Sequence, residues 1–258
     1  MSLIHAQKQG IITRAAKPTV SRTRGTTSGN FDVAIQWNSG NTTLVDNGTN
    51  ATTITNNNGV SYSATSPYSG GGKSYVFNGT NQTLTVASNS IFTLGTGDFY
   101  IGMWVYMNSI SKTYSCLAEL DPSGGGRLSS LVFLINGAQP RVFSDGAWRL
   151  SSSSNVSLST WTHLAISRNN GTTRMFFNGT QVDSTTTIPN ITTSHLTIGK
   201  INDASDYMSA RVANWVLEKG NAVYTTSFTP PTSESITYNT PNVVSNTVYG
   251  VYQAGYES

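Results

Sequence analysis

Few residues in this 258-residue chain are of the types that do chemistry, and their spacing decides what each could contribute. Glu119-Leu-Asp121 sets two carboxyl groups two positions apart, which on a strand places both on one face. Retaining glycoside hydrolysis uses two carboxyls about 5–5.5 Å apart, one as nucleophile and one as acid. Here Pro122-Ser-Gly-Gly125 follows, and the other glutamates, Glu218, Glu234 and Glu257, are not placed to complete a pair. His163 stands two residues after Trp161 with no carboxylate close in sequence, and the remaining histidines are His5 and His195. A packed structural imidazole is expected there, not a triad base. Asn202-Asp203-Ala-Ser-Asp206 offers hard oxygen donors of the kind Ca2+ takes, and a solvated turn needs the same residues. Gly72-Lys-Ser74 matches the end of a phosphate loop, but Pro67 holds the place of its first glycine and no helical pattern follows. Cys116 is the sole cysteine, which excludes an intrachain disulfide and a multi-cysteine zinc site. Trp148, near Gly146 in a polar loop, is the indole best placed to contact a glycan. From these residues no catalytic, cofactor-binding or metal site is assigned.

The elements that would position these side chains are strands. Ser, Thr and Asn number 34, 36 and 24, and with 24 Gly they make up nearly half the chain. These types disfavour helix interiors. The runs 31–37, 82–87, 98–107, 128–135, 161–168, 173–177, 195–199 and 210–216 read as strands, the run 98–107 apolar enough to be covered on both faces. Asn-Gly recurs at 78–79, 136–137, 170–171 and 178–179, the strongest short-range hairpin signal because a type I′ turn needs positive φ at both central residues. Many short strands joined this way predict an all-β, two-layer antiparallel sandwich. Trp104, Trp161 and Trp215 fall in strand runs and are expected to fill the space between sheets about 10 Å apart.

Charge divides the chain differently. Lys8, Arg14, Lys17, Arg22 and Arg24 lie in residues 1–30 with no acid, so that segment is +5. The remaining 10 basic residues face all 12 acids, giving −2 over 31–258. Residues 1–30 therefore read as a basic arm that docks on a partner, followed by a sandwich over 31–235 and a Tyr- and Val-rich extension over 236–258. The arm holds no Phe, Tyr or Trp and the rest is net acidic, so nucleic acid is not the expected partner. No apolar run approaches the ~18 residues of a membrane span, and the first residues lack the basic start and apolar stretch of a secretory leader. The nine Asn-x-Ser/Thr triplets are then a by-product of composition.

At this level the chain resembles a known family. Trp161-Thr-His-Leu-Ala-Ile-Ser-Arg-Asn-Asn-Gly-Thr-Thr-Arg-Met-Phe-Phe-Asn-Gly179 is similar to the signature hairpin of laminin G-like, concanavalin A-like jelly-roll domains. Gly97-Asp-Phe-Tyr-Ile-Gly-Met-Trp-Val105 resembles an earlier strand of that family. Residues 31–77 and Lys219–Thr232 resemble the opening strands and the closing segment of the versions in tailed-bacteriophage virion proteins. The resemblance implies a jelly-roll sandwich with terminal arms. Its implied function is a non-enzymatic virion component, a capsid decoration or cement protein or a tail-associated one. Such a protein would be homo-oligomeric and would dock on other virion proteins. The alternative is a lectin-like module for host-surface or environmental glycans. Hydrolases of this superfamily carry Glu-x-Asp-x-x-Glu or Glu-x-Asp-x-Glu, and the closing Glu is absent here, so enzymatic activity is not expected. A rim Ca2+ ion, held by many laminin G-like domains, is the one cofactor the resemblance suggests.

Overall fold

The alternating runs become strands, and the described residues of the computed structural model, 31–37, 40–69, 72–121, 131–202 and 205–233, hold sixteen of them. In chain order the first eight are β1 (Val33–Trp37), β2 (Leu44–Asp46), β3 (Ile54–Asn57), β4 (Ser61–Ser63), β5 (Ser74–Asn78), β6 (Thr83–Val86), β7 (Phe99–Met107) and β8 (Tyr114–Leu120). The second eight are β9 (Leu131–Asn136), β10 (Gln139–Ser144), β11 (Ala147–Ser151), β12 (Trp161–Asn169), β13 (Thr172–Phe177), β14 (Thr180–Thr185), β15 (Leu196–Ile198) and β16 (Ser209–Lys219). Helix is confined to one 3-10 turn, Ser90–Phe92, among the described residues. Residues 1–30 and 236–258, with Lys8, Arg14, Lys17, Arg22 and Arg24, lie outside them.

The strands form the expected antiparallel two-sheet jelly roll. A nine-stranded sheet runs β14-β13-β12-β7-β16-β1-β2, with β5 also paired to β16 and β4 to β5. A seven-stranded sheet runs β11-β10-β9-β8-β15-β6-β3. Their inner faces alternate with their outer ones, so Ile101, Met103 and Val105 of β7, Leu164 and Ile166 of β12, and Phe133 and Ile135 of β9 share one core. Trp215 lies fully inside that core, and its indole N–H crosses the gap to donate to the Leu117 carbonyl at 3.1 Å. Its inward turn follows from a bulge between Ala213 and Val216, where Asn214 has a φ of 53°.

Turn chemistry sets the registers. Asn170-Gly171 and Asn178-Gly179 have both residues at positive φ and close the β12–β13 and β13–β14 hairpins as type I′ turns. Asp145-Gly146 does the same between β10 and β11. Asn78-Gly79 does not close a hairpin: β5 and β6 belong to different sheets, and the pair carries the chain between layers.

The outer face of the nine-stranded sheet is partly roofed by the segment after β16. Tyr224 and Phe228 stack at 3.5 Å, and Tyr224 meets Tyr100 while Phe228 meets Phe176 and His163 edge-on. The Phe228 N–H donates to the Gly179 carbonyl at 2.8 Å. A side chain at Gly179 would collide with the Phe228 carbonyl, so glycine is required there by contact as well as by φ. This strap accounts for the burial of Tyr100, Gly102 and Ala165 on a face that would otherwise meet water.

Candidate functional site

Trp148 lies on strand β11, two residues past the Asp145-Gly146 turn, and not in a loop. Its neighbours across β10 are Phe143, paired with it in register, and Arg141. The Phe143 ring meets the indole edge-on at 5.2 Å, the Arg141 guanidinium lies 4.1 Å from the indole centre, and Tyr114 approaches at 6.5 Å. Arg141 is fixed in turn, its Nε donating to Ser151 Oγ at 2.9 Å. Beneath this group sit Cys116, Val132, Leu134 and Ile201, all fully buried on the outer side of the seven-stranded sheet. The three aromatic rings remain half-exposed. Donors and acceptors surround them: Asp183 Oδ2 accepts from the Ser151 N–H, and Asp206 Oδ2 accepts from the Tyr114 N–H. An apolar platform rimmed by both polarities suits an oxygen-rich ring.

Glu119 lies on β8 of the same sheet and Asp121 one residue past its end, and both are buried. Glu119 pairs in register with Val132 and Thr197, in the row that runs through Phe143 to Trp148. Its Oε2 accepts from the Asn202 N–H at 2.7 Å, so this carboxylate anchors the 199–208 connection that carries Ile201 over the sheet. Asp206 accepts from Tyr114, Asp203 lies outside the described residues, and among those residues no three His, Cys, Asp or Glu side chains converge as a metal centre requires. Ser74 opens strand β5, with its hydroxyl on the Thr65 carbonyl, so no helix terminus follows Gly72-Lys-Ser74.

His163 is buried between the rings of Trp104 and Phe228. Burial lowers its pKa from 6.5 to about 3, so the imidazole is neutral. Its Nδ1 has no hydrogen-bond partner among the described residues, so the imidazole is packed as expected but not fully paired there. Two of the three tryptophans expected between the sheets are elsewhere. Trp104 and Trp161 are half-buried on the outer face of the nine-stranded sheet, directly opposite His163 and Tyr106 respectively. The inward positions of β7 and β12 are taken by Met103, Val105, Leu164 and Ile166, and strict alternation turns both indoles outward. Burying an indole N–H without an acceptor costs about 1–3 kcal/mol, which sets this face apart.

Arg168 was not visible as special in sequence. Its guanidinium is buried, donating to the Gly95 and Gly97 carbonyls, both at 2.6 Å. Burial lowers its pKa, and Asp98 opposes that shift. It staples the turn before β7 to β12.

Comparison with known proteins agrees with this architecture. No curated protein sequence matches the chain. Domain 4 of a GH43 extracellular arabinanase from Geobacillus stearothermophilus, solved with arabinotriose, superposes with a TM-score of 0.59 at 16% identity, over 76% of this chain and 95% of that one. Botulinum neurotoxin type C, described as entering cells through two ganglioside molecules, superposes with a TM-score of 0.56 at 16% identity. The match covers 76% of this chain, which spans only 49% of that one. The serotype D neurotoxin binding domain gives 0.56 at 11% identity over 74% and 48%. A family model covers residues 78–217, more than half of the chain. The chain therefore belongs to the Laminin_G_3 family of the concanavalin A-like lectin/glucanase superfamily.

Proposed function

We propose that this domain binds carbohydrate without turning it over, on the outer face of the seven-stranded sheet. The observation that carries the reading is the half-exposed group of Trp148, Tyr114 and Phe143 with Arg141 fixed beside it. One face of the indole already holds the guanidinium, so a sugar would stack on the free part of Trp148 and on Tyr114. Arg141 would then present its remaining N–H groups to the sugar oxygens. Absence of turnover is supported by Glu119, whose carboxylate is held by Asn202 with Ile201 packed nearby. The arabinotriose complex and the ganglioside dependence of the structural relatives lend the reading further support.

A virion role has as its support the resemblance of residues 31–77 and 219–232, and the arms on which docking would depend lie outside the described residues. Carbohydrate binding therefore comes first, and locating the protein on a phage particle by imaging would establish the other role.

The test is the full chain on a glycan array, followed by calorimetry on the strongest neutral ligand. Trp148→Ala is expected to weaken binding about fivefold or more, because stacking on an aromatic ring contributes ~1–3 kcal/mol. A domain that binds no glycan, or one indifferent to Trp148→Ala, would overturn the proposal.

A further inference from the structure

The outer face of the nine-stranded sheet carries a second constellation, away from Trp148. Trp161 of β12 faces Tyr106 of β7, which faces Arg211 of β16. Trp161 and Tyr106 rings lie 5.4 Å apart, and the Arg211 guanidinium lies 4.8 Å from the Tyr106 ring. One register along, His163 faces Trp104. The strap ends beside this group, with Phe228 against His163, and leaves Trp161, Tyr106 and Arg211 half-exposed.

Five buried side-chain nitrogens lack a hydrogen-bond partner among the described residues, and four of them gather here. They are Trp104 Nε1, Trp161 Nε1, His163 Nδ1 and Arg211 Nε. Indole and guanidinium nitrogens only donate, so the face is short of acceptors. Arg211 also has no carboxylate partner among the described residues, and its guanidinium lies over the Tyr106 ring. Buried polar groups are normally satisfied, and the three donor-only exceptions, Trp104 Nε1, Trp161 Nε1 and Arg211 Nε, on neighbouring strands call for an occupant that supplies oxygen atoms. These nitrogens are buried, so an acceptor would reach them only with the half-exposed rings moved aside. Stacked planar groups beside an unpaired cation favour a ring that also carries negative charge.

We propose that Trp161, Tyr106 and Arg211, backed by Trp104 and His163, form a second binding site that takes an acidic saccharide, its ring on Trp161 and its carboxylate or sulfate on Arg211. The ligand class rests on the carbohydrate reading above; the location does not, since it follows from the orphaned donors.

The experiment titrates the full chain with an oligogalacturonate, a sulfated galactan fragment and a neutral galactan fragment. Wild type is compared with Arg211→Gln, Trp161→Phe and Trp148→Ala, each first checked for an unchanged unfolding midpoint. A charged hydrogen-bonded contact is worth about 1.5–3 kcal/mol, so Arg211→Gln is expected to weaken the acidic ligand about tenfold or more. Trp161→Phe should weaken it less, Trp148→Ala should leave it unchanged, and the neutral fragment should ignore Arg211. Preference between carboxylate and sulfate identifies which anion the site takes. Acidic ligand bound as tightly by Arg211→Gln as by wild type, but lost in Trp148→Ala, would overturn this site and leave the carbohydrate reading intact. Failure of every ligand on the array and in titration would overturn both.

Discussion

His163 gives the fold a pH dependence whose size can be worked out. The imidazole is held between Trp104 and Phe228, and burial moves its pKa from 6.5 down to about 3. Because the folded value is the lower one, the unfolded chain binds the extra proton between about pH 3 and 6.5. Stability is therefore fully retained above pH 6.5 and falls as the pH drops through that window, levelling off below about 3. Between pH 7 and pH 5 the loss from this one ring is about 2 kcal/mol. Urea unfolding followed by tryptophan fluorescence at pH 7, 6 and 5 measures it. His163→Phe keeps an aromatic ring in the same gap and removes the proton site, so its stability should change less over that range by about the same 2 kcal/mol. An equal loss in wild type and His163→Phe would show that the imidazole is not held neutral by burial.

Asp46 accepts from the Ala34 N–H, the Gly48 N–H, and the N–H and hydroxyl of Thr52, all within 2.8 Å. Asp46→Ala leaves those buried donors unpaired and should cost about 3–5 kcal/mol in denaturant unfolding, whereas a cost below ~1 kcal/mol would show that the network is dispensable. Cys116 is fully buried, and burial pushes its thiol pKa well up, with the Glu119 carboxylate adding to the shift. It should resist a disulfide reagent at pH 8 in the native protein and react in full in denaturant; rapid native labelling would contradict the packing beneath Trp148.

The architecture was legible because it is written locally. Asn170-Gly171 and Asn178-Gly179 can make little else than tight hairpins, and the alternation of β7 and β12 follows from period two. What sequence did not disclose was which face each alternation serves. On β12 and β7 both sets of alternate residues include large apolar side chains, and Trp161 and Trp104 are expected inward because they are large. The choice was made by the aliphatic set, Leu164 and Ile166 with Met103 and Val105, which packs against the opposite sheet. Trp148 is half-buried on a strand and not in a loop, and the Asp145-Gly146 turn before it is a hairpin signal of the same kind as the Asn-Gly ones. The grouping of Trp161, Tyr106 and Arg211 joins three strands from distant parts of the chain, β12, β7 and β16, and no local pattern brings them together.

The central claim, sugar binding at Trp148, can be read directly from the indole N–H signals of the five tryptophans in a heteronuclear NMR titration of the full chain. Trp37 and Trp215 donate to the Ser74 and Leu117 carbonyls inside the fold and should not move. With a neutral oligosaccharide taken from the array, the Trp148 signal should shift progressively to saturation while those two stay fixed. A saturated complex in which the Trp148 signal has not moved would contradict the account.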